Sequence, residues 1–262
     1  MRSRLPVLRP NESDPTSANL CALAIMTKAP RAGHVKTRLT PPLSPEEAAT
    51  LNISFLRDLA RSIDQAGAGA RGIGCYTPVG AEEAYDDILP DHFQLIAQRD
   101  GDFGQRLVGA IEDLFSVGFG AVCLINSDSP TAPSSVFAEA VRILASPNDN
   151  LVLGPSEDGG YYLIGMKNLH PRLFEGIDWS TDQVLAQTRA RATEIGLEVH
   201  LLPPCYDVDD RIMLQSLCED LFGPNESDII EIAPATRAFL REIMDREGRE
   251  RIWPTPVDRP AQ

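Results

Sequence analysis

The 262-residue chain carries 24 lysines and arginines against 38 aspartates and glutamates, a net charge of −14 at neutral pH, with 43% hydrophobic residues. So acidic a surface repels phosphate backbones and argues against a general nucleic-acid binder, while still allowing a local basic pocket. The longest apolar run, residues 20–26, is far short of the roughly 20 residues that span a membrane, and the length suits one large α/β domain.

Residues 1–18 read as a disordered arm. Pro6, Pro10 and Pro15 break it up, and the apolar stretch of a secretory signal is missing. The run at 20–26 is a buried strand. Leu51, Phe55, Leu59 and Ile63 recur every four positions and predict a helix over 46–64. Strands follow at 71–76 and 93–98. Phe103, Leu107, Ile111 and Leu114 place a helix over 102–117. Residues 121–125 form another buried strand, 134–145 a helix, and 151–153 and 161–166 two strands. A helix over 181–195 takes Ser180 as its N-cap. A strand at 197–202 and helices around 209–221 and 234–247 complete the pattern. Phe239, Leu240, Ile243 and Met244 share a face of the last helix, which either docks on the domain or forms a homo-oligomer contact. Residues 251–262 read as a flexible Pro-rich tail, leaving 19–250 as the single domain.

Alternating strands and helices predict an α/β fold, a three-layer, Rossmann-like, mostly parallel sheet with helices on both faces. Ligands bind such sheets at the carboxyl ends of the strands. The five cysteines, Cys21, Cys75, Cys123, Cys205 and Cys218, form no CxxC pair and are expected to be reduced in a cytoplasmic protein. Several motifs fail on context. Gly67-Ala-Gly69-Ala-Arg-Gly72 spells GxGxxG, but a helix precedes it and a strand follows, the reverse of a dinucleotide loop. No GxxxxGK[ST] loop occurs, and the four histidines lack zinc spacing.

Four segments can carry chemistry. The loop after the first strand holds Lys28, Arg31, Gly33, Lys36 and Arg38. Its four cations suit a di- or triphosphate, and Gly33 permits close backbone approach. Asp128 follows the buried strand 121–125 directly; from this segment alone it is either a turn cap or a ligand for Mg²⁺. Asp158, Gly159 and Gly160, between two strands, make either an ordinary hairpin or a turn against which a ligand lies. Asp207, Asp209 and Asp210 crowd one strand end. One of them caps a helix, and another can share a metal with Asp128.

Read together, these segments resemble the glycosyltransferase-A superfamily of nucleotide-handling enzymes. Lys36-Thr37-Arg38-Leu39 looks like the phosphate loop of the 2-phospho-lactate guanylyltransferases, relatives of the molybdenum-cofactor guanylyltransferases. Ser127-Asp128-Ser129-Pro130 is similar to their strand-end metal motif, and Val208-Asp209-Asp210-Arg211 to the second metal motif of sugar-nucleotide pyrophosphorylases. Lys28-Ala29-Pro30, Val35 to Leu39, Gly101-Asp102-Phe103-Gly104-Gln105-Arg106-Leu107, Gly154-Pro155, Asp158 to Leu163 and Trp179-Ser180-Thr181 jointly resemble a bacterial family usually labelled a glycosyltransferase associated with radical-SAM and selenium-related genes.

The resemblance implies Mg²⁺, or Mn²⁺ in its place, held by Asp128 and Asp209. It implies nucleotide phosphates on Lys28, Arg31, Gly33, Lys36 and Arg38, and catalytic roles for Lys36, Arg38 and Asp128. Asp158, Gly159, Gly160 and Thr181 would face the acceptor or sugar, with Trp179 either beside them or in the core. Asp102 reads as a helix cap or a ligand contact. The first expectation is a nucleotidyltransferase that moves a nucleoside monophosphate from an NTP to a small phosphorylated acceptor. The alternatives are a glycosyltransferase with a nucleotide-sugar donor and a nucleotide-binding protein without turnover. Neither nucleic acid nor membrane is an expected partner.

Overall fold

The computed structural model describes residues 4–223 and 229–254. Seven strands, β1 (Cys21–Lys28), β2 (Ala70–Thr77), β3 (Gln94–Ala97), β4 (Ala121–Ile125), β5 (Asn150–Pro155), β6 (Tyr161–Met166) and β7 (Glu198–Leu201), form one sheet in the order β3-β2-β1-β4-β6-β5-β7. β6 runs antiparallel to both neighbours and every other pairing is parallel. The α/β architecture with its mostly parallel sheet is the one the sequence pattern predicts. The helices are α1 (Pro45–Asp64), α2 (Phe103–Val117), α3 (Ser134–Leu144), α4 (Val184–Glu194), α5 (Arg211–Phe222), α6 (Ile229–Ile232) and α7 (Pro234–Glu247). Among the described residues, no helix is long and apolar enough to cross a membrane.

The alternation of side chains along β1 divides the core. Leu23 and Ile25 pack with Leu56, Leu59 and Ile63 of α1 and Phe137 of α3. Ala22 and Ala24 face the other way, toward Leu107, Ile111 and Leu114 of α2. A third cluster, outside α1, joins Leu51 and Phe55 to Leu217 and Leu221 of α5 and to Leu240 and Ile243 of α7. The apolar face of α7 therefore docks on its own domain.

Three expectations need correction. Residues 4–18 are packed on the domain. Leu5 is buried, Val7 bridges to Leu95 at the edge of β3, and Leu8 N–H donates to Leu95 O at 2.7 Å while Leu95 N–H donates to Pro6 O at 2.8 Å. The open hydrogen-bonding edge of β3 orders a segment too proline-broken to read as a strand. At the other end, Ile252 is buried in the α5–α7 cluster and Arg251 pairs with Glu47. Residues 1–3 of the predicted arm and 255–262 of the predicted tail lie outside the described residues. Finally, α4 begins at Val184 rather than 181. Ser180 has φ +64° and lies three residues before the N-cap position, which Gln183 occupies; between them Thr181 Oγ1 turns back to donate to Asp178 O at 2.7 Å.

Glu47 ties the C-terminal elements to α1. Its carboxylate accepts from Ser44 N–H at 2.8 Å in a capping box and pairs with Arg246 and Arg251. Burial pushes this carboxyl up, but the bonds from Arg251 and Ser44 and the two positive charges outweigh burial and hold it below its usual 4.5. A depressed carboxyl stabilises the fold above its unfolded value and loses that contribution as pH falls through the folded value. Glu47→Gln is expected to cost about 1–3 kcal/mol at neutral pH, the range for hydrogen bonds to charged groups. Denaturant titrations of both proteins should converge below the ordinary carboxyl value of 4.5.

Candidate active site

A cavity of about 710 Å³ opens at the carboxyl ends of β1 and β4, and Lys28, Lys36, Arg38, Asp128 and Asp209 all line it. Two loops build its charged part. In one, Asn126, Ser127 and Asp128 follow the buried strand β4. In the other, 206–210 runs from β7 toward α5. A backbone bond joins them, Val208 N–H to Asp128 O at 2.9 Å. Asp207 adds a second join, accepting from Asn126 Nδ2 at 2.6 Å and Ser129 Oγ at 2.5 Å. Burial raises the Asp207 carboxyl above the usual range despite those two bonds. Asp210 is the N-cap of α5, accepting from Met213 N–H at 2.9 Å. Each of the three clustered acids thus has a separate position, and Asp209 is brought beside Asp128.

Lys36 lies between these two carboxylates. Its ammonium is 2.5 Å from Asp128 Oδ1, 3.0 Å from Asp209 Oδ1 and 2.9 Å from the carbonyl oxygen of Val208. It also sits 5.2 Å from the centre of the Phe55 ring, on the face that attracts cations. The side chain is only 4% exposed, against 31% for Asp128 and 47% for Asp209. Burial alone would lower the ammonium's pKa. The two aspartates outweigh it and raise the value above that of a free lysine. The backbone of Lys36 is left-handed, φ +49° and ψ +37°. That conformation disfavours a side chain, and here it turns the chain so that Lys36 points inward while Thr37 and Arg38 remain exposed at the cavity.

The other part of the cavity is apolar. Leu124 of β4 and Tyr161 and Ile164 of β6 floor it; Phe103 and Leu107 of α2 and Trp179 wall it. Phe103 and Trp179 meet edge-on with centroids 5.2 Å apart. A side chain at Gly104 would lie 2.7 Å from Trp179 Nε1, so this glycine admits the indole. Asp102 is a helix cap: with Gln105 it forms a complete capping box on α2.

Asp158, Gly160 and Thr181 line the cavity. Asp158 Oδ1 accepts from Gly160 N–H at 2.9 Å, folding the β5–β6 hairpin. Arg31, Gly33 and Gly159 are not brought to the cavity wall. Arg31 is exposed; Gly33, at φ +73° with open space around it, serves the turn. Gly159 serves packing: at φ +87°, a Cβ there would lie 2.3 Å from Asp182 O. Tyr162 packs against Gly154, where a Cβ would come within 2.4 Å of its ring, which accounts for Gly154 and Tyr162 of the motif.

The donor set suits a hard divalent ion. Two carboxylates already share one positive charge in the site. Asp128 and Asp209 are the residues that could hold such an ion; Mg²⁺ takes one or two carboxylates and completes its shell with phosphate oxygens and water.

Comparison with known proteins follows this geometry. Residues 60–181 match the family described as "Uncharacterized protein conserved in bacteria (DUF2064)". The matched stretch holds the whole of β4, Asp128 and the β5–β6 hairpin, and ends at Thr181. Over 215 residues, 81% of this chain and 84% of the other, the sequence is 26% identical to 2-phospho-L-lactate guanylyltransferase of Methanothrix thermoacetophila. The fold matches a crystal structure from Desulfovibrio desulfuricans G20, a protein assigned to the nucleotide-diphospho-sugar transferases. The TM-score is 0.72 at 29% identity, covering 85% of this chain and 97% of that one. Both relatives are named as transferases of nucleotide substrates.

Of the apolar wall, sequence reasoning offered only Trp179, as one of two alternatives, and it missed the roles of two polar groups. Phe103 and Leu107 were legible only as one face of a helix, since nothing in a 3.6 period separates a core contact from a cavity lining. Asn52, on α1, lines the cavity at 3% exposure, and its Oδ1 has no hydrogen-bond partner. Its one legible signal is an amide next to Leu51, on the apolar face of an otherwise regular helix. Asp207 was noticed in its segment, but only the fold gives it the joining role.

Proposed function

We propose that this protein is a Mg²⁺-dependent nucleotidyltransferase that moves a nucleoside monophosphate from an NTP to a small phosphorylated acceptor and releases pyrophosphate. The observation that carries the reading is the meeting of Asp128 and Asp209 around one cation, with Lys28 and Arg38 on the same cavity. Bound there by Asp128 and Asp209, Mg²⁺ would neutralise phosphate charge; Mn²⁺ fits the same oxygen donors. Lys28, Lys36 and Arg38 supply the remaining positive charge to the polyphosphate. An oxygen of the acceptor phosphate attacks the α-phosphorus, the bond to the bridging oxygen breaks, and pyrophosphate leaves with that electron pair. Such transfers need positioning and electrostatics more than covalent chemistry from the protein.

The apolar wall would take the acceptor, with Asp158 and Thr181 at its edge. Phe103→Ala is expected to raise the acceptor KM about ten-fold, the worth of covering part of an aromatic ring that is 44% exposed in the free cavity, while leaving the nucleotide KM unchanged. Steady-state kinetics with each substrate varied in turn measures both. The reading also places the protein in the cytoplasm, where its five free cysteines stay reduced.

GTP is the first donor to try, because the Methanothrix relative is named a guanylyltransferase. Pyrophosphate release is measured with each of the four NTPs, Mg²⁺ and a panel of phosphorylated small acids. Acceptor-dependent release with one NTP supports the reading. A second reading rests on the Desulfovibrio structure, assigned to the nucleotide-diphospho-sugar transferases. In that case the same site would hold the diphosphate of a nucleotide sugar, and a free nucleoside diphosphate would appear instead.

A further inference from the structure

The position of Lys36 raises a question that the metal reading leaves open. Its ammonium occupies the point between Asp128 and Asp209 where a divalent ion would be held, and it has three oxygen neighbours there at 2.5, 3.0 and 2.9 Å. The chain has only three lysines, Lys28, Lys36 and Lys167, against 21 arginines. At this point it uses the compact ammonium rather than the planar guanidinium, which pairs with a carboxylate along one edge. The lysine reaches the spot on a left-handed backbone residue and is almost wholly buried, at 4% exposure.

Resting on the metal reading, we propose that Lys36 is a tethered counter-ion. In the metal-free protein its ammonium holds the Asp128 and Asp209 carboxylates together, and it gives up that place when a divalent ion binds, moving toward the phosphate side of the cavity. Two carboxylates so close repel each other unless a cation lies between them. Lys36 supplies that cation, 2.5 Å from one and 3.0 Å from the other, and keeps them converged for exchange. The exchange also sets metal affinity. A divalent ion must displace the ammonium, so it binds weakly alone and firmly when nucleotide phosphates offer Lys36 a new partner. Lys28 and Arg38, both exposed on the cavity, mark where those phosphates would lie.

The test labels the native full-length chain with acetic anhydride and reads each lysine by mass spectrometry, using Mn²⁺ without nucleotide as the probe. Without metal, Lys36 should react far more slowly than the exposed Lys28. With saturating Mn²⁺, its rate should rise several-fold, while that of Lys167, bonded to Ser146 O, stays constant. Asp209→Asn should abolish the Mn²⁺ response. In parallel, Mn²⁺ binding by electron paramagnetic resonance should be about ten-fold tighter in Lys36→Met, the gain expected if the site is free of its lysine about a tenth of the time. Mn²⁺ bound in an Asp209-dependent way, with Lys36 still protected, would overturn the exchange and leave the metal site standing. Mn²⁺ binding indifferent to both Asp128→Asn and Asp209→Asn would overturn the metal reading and the exchange together.

Discussion

Asp128→Asn and Asp209→Asn are each expected to lower kcat/KM about a thousand-fold, roughly 4 kcal/mol of transition-state stabilisation, while the fold persists. Each change removes one of two carboxylates that converge on a single cation. The rest of the arrangement stays. The loops are joined by the backbone bond from Val208 to Asp128 and by Asp207 with its partners Asn126 and Ser129, and none of these uses the substituted carboxylate. Lys36 keeps one ion-pair partner in either variant, so a buried unpaired charge does not arise. The melting temperature should therefore stay within a few degrees of the wild type. Activity and Mg²⁺ dependence should fall together. The double variant should be hardly worse than either single one, since residues acting as a unit are not additive. Kinetics over a Mg²⁺ titration, beside thermal unfolding of the same samples, separates this outcome from general destabilisation.

The second large effect is structural. Gly159→Ala is expected to destabilise the protein by about 3 kcal/mol or more, a fall in Tm on the order of 10 °C for a chain of this size. Two costs coincide. The residue has φ +87°, which an L side chain rarely adopts, and its Cβ would meet the Asp182 backbone at 2.3, 2.6 and 2.7 Å. Backbone atoms cannot rotate away as a side-chain tip can. Relief requires the hairpin to move from the segment before α4, breaking the bond from Leu185 N–H to Gly159 O at 2.9 Å and shifting Asp158 and Thr181 in the cavity wall. Gly160→Ala is the control. The nearest atoms to its Cβ would be those of the Asp158 side chain, at 3.1 Å and beyond, and its φ is ordinary, so a much smaller loss is expected. Calorimetry on the two variants reads the difference.

The layers of the fold were legible because periodicity reports which face of an element is buried. Leu51, Phe55, Leu59 and Ile63 mark α1 as they stand, and 121–125, apolar throughout, could only be a covered strand. Direction was not legible. Residues 161–166 read the same in a parallel or an antiparallel pairing, and only the short connection from β5 made a hairpin natural. The order of residues 4–18 was hidden because it depends on a distant edge, at Leu95, rather than on local preference.

At the site, the four cations, the strand-end Asp128 and the Asp209 segment stood out by composition and position alone. Their division of labour did not. Lys36 turns inward through a backbone conformation that no residue type announces, while Arg31 and Gly33, equal candidates in the sequence, stay away from the cavity. The apolar wall is assembled from α2, β4, β6 and Trp179, elements that only the folded chain brings together.

Thermal unfolding with Mg²⁺ and a panel of NTPs and nucleotide sugars tests the central claim most directly. A ligand at about 100 times its Kd adds roughly 2.7 kcal/mol, or about 5–10 °C for a domain this size. The account predicts a shift of that order with one NTP, dependent on Mg²⁺ and absent in Asp209→Asn. A shift with a nucleotide sugar and with no NTP would contradict it.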